Sequence, residues 1–254
     1  MSERGARSSA DINPAHLTAL HAGTAASRTL TEALAIDHTV LLRNAIPHAD
    51  DELLRVVAGA QALGILKRMM TIGAALAERT DAIDIEQLAH HPSDTVRGWG
   101  CFQIAARQAP DPVSLLEQLR GFADDEHFAV REWVWMAARP ALVADLATSI
   151  DALTGWTADP SANMRRFASE ALRPRGVWAS HIAALKEHPS QGEPILEPLR
   201  SDPSRYVQDS VANWINDAAK TRPDWALGLC ARWRAESSTP ETVLITGRAL
   251  RSIT

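Results

Sequence analysis

From residue 96 onward, one step recurs: an apolar residue followed by a long polar one. Val96-Arg97, Val130-Arg131, Met164-Arg165 and Val207-Gln208 mark four copies, spaced by 34, 34 and 43 residues. Each marker sits in a related segment: HPSDTVRGWG at 91–100, DEHFAVREWVWMAARP at 125–140, DPSANMRRFASEALRP at 159–174 and DPSRYVQDSVANWINDAAKTRPD at 202–224. Self-similarity at this period means stacked helical repeats, because one such unit cannot bury its apolar face alone. Alternating Val/Ile/Thr runs are missing and tyrosine occurs once, so strands are not expected. The predicted fold is all-α, an α-solenoid of helical repeats.

The periodicity predicts inner helices at 93–107, 127–138, 161–172 and 203–220, with outer helices at 84–90, 112–121, 145–157, 192–200 and 223–235. Asp202-Pro203 reads as N-cap and first helical residue. The insertion ALRPRGVWASHIAALKEHPSQGEP accounts for the longer third interval. Upstream, residues 1–13 are polar and read as disordered. Residues 14–82 read as helices that cap the array, with 63–79 apolar on nearly all sides, and 83–254 as one continuous repeat region.

The fourth copy holds the most informative pattern. Val207, Val211, Trp214, Ile215 and Ala218 share one helical face, and beside them runs a polar stripe of Tyr206, Ser210, Asn213, Asp217 and Lys220. Two readings stand: the solvated shoulder of an ordinary helix, or a site. Trp99, Trp133 and Phe167 fill one slot in successive copies, as inter-repeat core does. The same slot is Ser210 in the fourth copy, so the aromatic stack stops where the polar stripe begins. Trp178 and Trp214 are the tryptophans placed to contact a ligand, whereas Trp135, Trp156, Trp225 and Trp233 read as packing. Arg97, Arg131 and Arg165 recur where an Asp–Arg ladder between repeats would lie, and Arg131 and Arg165 are also candidate phosphate contacts. Arg166, Arg173 and Arg175 are extra to that ladder and crowd one helix end, as a phosphate clamp would. Arg248 and Arg251 share a side of the last amphipathic segment.

Charge narrows the partner. The chain carries 26 Lys and Arg against 31 Asp and Glu, a net of −5. Residues 160–254 nonetheless hold 13 of those cations and 10 of the acids, so any polyanion-binding half lies there. No stretch of about 18 apolar residues occurs and the N-terminus lacks an apolar signal core, which points to a cytoplasmic protein away from membranes. Cys101 and Cys230 fit no metal or disulfide framework, and His90, His91, His127, His181 and His188 lack ligand spacing. Neither a metal nor a cofactor is expected, and no phosphate loop or nucleophile elbow is present.

The segments DPSANMRRFASEALRPRGVWA and DPSRYVQDSVANWINDAAKTRPDW, with the closing RALRSI, resemble the HEAT-like DNA alkylation repair glycosylases of the AlkC/AlkD type. The likeness spans roughly residues 85–253, and SVANWINDAAK at 210–220 is its most specific part. It implies a right-handed α-solenoid of HEAT-like repeats, a curved stack whose concave face holds duplex DNA, and hydrolysis of the N-glycosidic bond of N3- or N7-alkylated bases, bulky adducts included. The chain departs from the pattern in three places. His127 stands where AlkC-like chains put an acid, Phe128 with Glu132 replaces a Trp-x-x-x-Asp pair, and Asn213, beside Trp214, replaces an aromatic.

The expected protein is thus a monomeric DNA glycosylase acting on alkylated duplex DNA. Asp217 is the first candidate carboxylate and Glu132 the second. Arg131, Arg165, Arg166, Arg173, Arg175, Lys220, Arg248 and Arg251 are expected on DNA, with Trp178, Tyr206, Asn213 and Trp214 near the lesion. The alternative is a HEAT-repeat module that binds DNA or protein without catalysis. The two differ in whether Asp217 faces an open basic groove or is locked into a salt bridge between repeats.

Overall fold

A computed structural model describes residues 5–79, 84–107 and 111–253. Among them the secondary structure is helical, without a strand. In chain order the helices are α1 (Pro14–His21), α2 (Leu30–Leu34), α3 (His38–Ala45), α4 (Asp51–Ala60), α5 (Ile65–Ala77), α6 (Ile85–Ala89), α7 (Asp94–Ala106) and α8 (Pro112–Ala123). There follow α9 (Phe128–Ala144), α10 (Leu146–Trp156), α11 (Ala162–Glu170), α12 (Ala183–Glu187), α13 (Glu193–Leu196), α14 (Arg205–Ala219), α15 (Pro223–Glu236) and α16 (Pro240–Ala249). The chain divides into two compact units, 1–110 with 125–138, and 111–124 with 139–254. The second repeat copy is divided between them, residues 125–138 belonging to the first unit and Arg139 onward to the second.

Each repeat copy is entered by the same local device. The opening residue accepts the backbone N–H two places on: His91 Nδ1 from Ser93 at 3.1 Å, Asp125 from His127 at 2.7 Å, Asp159 from Ser161 and Asp202 from Ser204, both at 2.8 Å. Six residues later, the marker side chain folds back on the opening carbonyl. Arg97, Arg131 and Arg165 each donate through Nη1 to the carbonyls five and six residues before them. Gln208 Nε2 reaches the Asp202 carbonyl at 2.8 Å. The recurrent arginine therefore satisfies carbonyls of a tight turn that no helix would otherwise pair. This corrects the reading of Asp202 as an N-cap. Its carboxylate closes an Asx turn, Pro203 lies within that turn, and Ser204 is the cap of α14.

The ladder is also present. Arg97 pairs with Asp125 at 2.9 Å, and Arg165 grips Asp202 through Nε at 2.6 Å and Nη2 at 3.1 Å. Trp99, Trp133 and Phe167 are all buried, as a core slot requires.

Three segments differ from the sequence reading. Residues 5–12, expected to be disordered, carry a 3-10 turn at Ser9–Asp11 and bury Ala6 and Ile12; the Ala6 N–H donates to Glu32 at 2.9 Å. Residues 1–4 lie outside the described part. Helix α9 runs to Ala144 through Pro140 instead of stopping at 138, with the proline exposed. The outer helix expected at 192–200 is instead a broken run of α13 and short 3-10 turns at Pro189–Gly192 and Glu197–Leu199. Pro189, Pro194 and Pro198 withhold the N–H groups that a continuous helix needs.

Candidate nucleic-acid interface

Most of the expected site residues fall in the second unit, where α14 packs against α11, α15 and α16. The polar stripe of α14 is not a solvated shoulder. Its middle is a seam against α11. Ser210 donates to Glu170 Oε2 at 2.7 Å and accepts from Ser169 at 2.8 Å, all three side chains being buried. At one end Tyr206 lies under Arg166, whose Cζ stands 4.6 Å from the ring centroid. At the other, Asp217 Oδ2 accepts from Arg173 Nε at 3.0 Å and Nη2 at 2.8 Å, while Lys220 Nζ approaches Oδ1 at 3.3 Å.

Charge in this cluster is arranged around two buried carboxylates. Arg173 also reaches Glu170 at 2.7 Å, and Arg166 lies 3.6 Å from the same carboxylate. Burial works to raise the Glu170 carboxyl, but Arg166, Arg173 and the Ser210 hydroxyl outweigh it and hold the group below the usual range. Burial likewise opposes the Arg173 charge, and Glu170 and Asp217 together overcome it. Arg175 donates from Nε to the Asp217 carbonyl at 3.1 Å. Four cations, Arg166, Arg173, Arg175 and Lys220, thus gather around two acids. The excess is positive, and it suits phosphate better than it suits a developing cation.

Asp217 is 4% exposed and tied across two repeats. Arg165 is committed to the ladder with Asp202, and Arg131 to the Asp125 and Glu126 carbonyls. Toward the C-terminus Asn213 Oδ1 accepts from Arg251 at 2.8 Å, and exposed Arg248 lies 3.2 Å from Asp209. Trp214 is fully buried, tilted against Trp225 with ring centroids 5.9 Å apart. A Cβ on Gly192 would come within 2.4 Å of its ring, so Trp214 is core and cannot reach a ligand. Adjacency to the polar stripe misled there, because a residue one position further along a helix points about 100° away.

Trp178 behaves differently. It is 50% exposed, beside Val177 at 53%, in the segment that leaves α11. Its φ of 60° is the one positive value at a non-glycine among the described residues. A bulky side chain in this region is strained and persists only where its surroundings dictate it. Those surroundings include Arg139, which sequence reasoning passed over. The only available signal was an arginine inside the apolar run WVWMAARPALV.

In the first unit, Glu132 is half-buried on α9 and accepts from Trp135 Nε1 at 2.8 Å. His127 bonds the Ser27 carbonyl through Nε2 at 2.8 Å. Ser27 in turn donates to fully buried Asp94 through both N–H and Oγ. His127 therefore fastens the entry to α9 onto the loop around Ser27 and, through Ser27, onto α7. No cluster of three or more metal-ligating side chains occurs among the described residues. Nor is any described helix long and apolar enough to cross a membrane.

Comparison with known proteins gives the fold a precedent. The chain superposes on the alkylpurine DNA glycosylase AlkC of Pseudomonas fluorescens, solved on DNA containing an abasic-site analogue, with a TM-score of 0.69 over 98% of its length at 23% identity. It matches AlkD2 of Streptococcus mutans at 0.55 over 84%, and smu.31 of the same organism at 0.53 over 80%. A Bacillus subtilis protein, YhaZ, whose function is uncharacterised, is 40% identical over 117 residues. The chain spans 65% of AlkC and 32% of YhaZ. No protein-family model matches it. The fold is that of the HEAT-like alkylpurine glycosylase structures.

Proposed function

We propose that this protein is a DNA glycosylase that hydrolyses the N-glycosidic bond of N3- or N7-alkylated bases in duplex DNA. The observation that carries the reading is the likeness over 98% of the chain to a glycosylase held on abasic DNA, together with the cationic cluster on α11, α14 and the segment between them. Arg175, Lys220, Arg248 and Arg251 contact the phosphate backbone, and Trp178 lies against the damaged nucleotide. Alkylation makes the base cationic, so it departs with the bonding pair as a neutral group. The sugar passes through an oxocarbenium-like state, which water attacks at C1′ with loss of a proton. A carboxylate that stabilises this state is the main chemical requirement.

The buried pair with Arg173 neutralises much of the Asp217 charge. We assign Asp217 to holding Arg173 through its carboxylate and Arg175 through its backbone carbonyl, which leaves Glu132 as the second candidate carboxylate. Excision assays on duplexes carrying N3-methyladenine, N7-methylguanine and one bulky N7-alkylguanine test the activity. Wild-type protein that binds such DNA but releases none of these bases would refute it.

A second reading, a DNA-binding repeat module without catalysis, is favoured by one observation: Asp217 is locked between repeats instead of open to a ligand. The same assay separates the two.

A further inference from the structure

The segment that displays Trp178 is held from beneath by one buried guanidinium. Arg139, on α9, is 3% exposed. Its Nη1 donates to the Ala171 carbonyl at 2.8 Å and its Nη2 to the Arg173 carbonyl at 2.6 Å. Those two carbonyls belong to the chain leaving α11, where helical partners run out. From the same guanidinium, Nη2 and Nε reach the Ser180 carbonyl at 3.1 and 3.2 Å. One side chain thus ties both ends of the segment together. The Ile182 N–H to the Pro174 carbonyl, at 3.0 Å, closes it. Between the ends the backbone rests on the guanidinium face: a Cβ built on Gly176 would stand 3.2 Å from Arg139 Cζ.

This arrangement is an expensive way to end a helix. Burial pushes Arg139 down to about 10, and neighbouring Arg173 adds to the effect. A glycine in the left-handed conformation would satisfy the same helix end without burying a charge. What the guanidinium adds is rigidity under Val177 and Trp178, two large apolar side chains left half in water, the second in a strained conformation.

We propose that Arg139 is a positioning residue that fixes the 173–182 segment so that Trp178 projects in the orientation needed to meet the damaged nucleotide. This inference rests on the reading of Trp178 as a DNA contact, and deepens it. A misplacement of about 1 Å at a reacting centre can cost up to about a hundredfold in rate. The loss on freeing the segment is therefore expected in the ten- to hundredfold range.

The test is a double-mutant cycle between Arg139→Lys and Trp178→Ala. It reads single-turnover excision of N7-methylguanine and, separately, affinity for an abasic-analogue duplex. Thermal melting is followed throughout. Both single variants should slow excision, and the double variant should be no slower than Trp178→Ala alone. Arg139→Lys should lower the melting temperature equally in both backgrounds. Independent, multiplying effects on excision would overturn the proposal, as would a folded Arg139→Lys protein that excises at the wild-type rate. If Trp178→Ala alone changes neither excision nor binding, the underlying reading of Trp178 fails. Should the wild type bind DNA without excising, the same cycle is read on abasic-duplex affinity. If Arg139→Lys does not fold, Gly176→Ala replaces it, since its methyl group, 3.2 Å from Arg139 Cζ, would press segment and guanidinium apart by a few tenths of an ångström without removing the charge. It should slow excision only when Trp178 is present, and an unchanged rate would refute the idea.

Discussion

Arg173 reaches from the end of one repeat to Asp217 in the next, placing Nε at 3.0 Å and Nη2 at 2.8 Å from the same carboxylate oxygen. Both side chains are largely removed from water, and Glu170 shares the guanidinium. A buried ion pair contributes little over an apolar pair of equal volume, but removing one partner strands the other.

Asp217→Asn should therefore destabilise the protein, by less than the about 3–5 kcal/mol typical of a broken buried pair, because Glu170 still faces Arg173. Urea denaturation measures the loss. DNA affinity should fall with it, since the carboxylate anchors Arg173, although the bond from Arg175 to the backbone carbonyl of this residue persists. A variant of unchanged stability that excises about 10²–10³ times more slowly would instead place Asp217 at the reacting sugar.

Glu132→Gln bears on the chemistry. It retains an oxygen that can accept the Trp135 indole N–H, so folding and DNA binding should hold. The excision rate should drop by about 10²–10³, the usual effect of losing one preorganised electrostatic group. Wild-type turnover in this variant would return the role to Asp217.

Binding to DNA should weaken steeply with salt, because each neutralised phosphate releases counterions. Lys220→Glu and Arg251→Glu should each lower affinity for any sequence and reduce the salt slope by about one unit per lost phosphate contact. Arg43→Glu and Arg55→Glu, on exposed positions of α3 and α4, should do neither. Equal effects from the two groups would remove the case for an interface in the second unit. Arg173 is unsuitable for such a reversal, since it would bring a third acid against Glu170 and Asp217.

Acid should destabilise the first unit through His38. This residue is fully buried and accepts the Trp99 indole N–H at 3.2 Å through Nδ1. Burial, and then the nearby Arg68 charge, lower it to about 3. The unfolded chain takes up this proton near pH 6.5 while the folded one refuses it until about pH 3. Its contribution is thus complete above pH 6.5 and is lost progressively as pH falls toward 3. His38→Gln, which keeps an acceptor for Trp99, should flatten the fall in melting temperature between pH 7 and pH 4. An unchanged slope would show that other groups set it.

The repeat spacing determined the most about this protein. The 34-residue period and the missing alternation fixed helices, their order and the inward aromatic slot, because periodicity is a local property of the chain. The marker arginines were legible as a ladder for the same reason, although their second job, folding back on the turn that opens each copy, was not. Tertiary structure decided what no single segment encodes. Whether the stripe of Tyr206, Ser210, Asn213 and Asp217 meets solvent or a neighbour depends on how α11 lies beside α14. The same packing decided between the two readings of Asp217 and made it half of a buried ion pair. Trp214 and Trp178 are equally conspicuous in sequence, yet Gly192 encloses one and the segment resting on Arg139 exposes the other. Arg139 and Trp178 lie 39 positions apart, and nothing in either local sequence announces the other. Only folding brings a guanidinium on α9 beneath the carbonyls that leave α11, since hydrogen-bond partners of buried charges are chosen by packing and not by sequence distance.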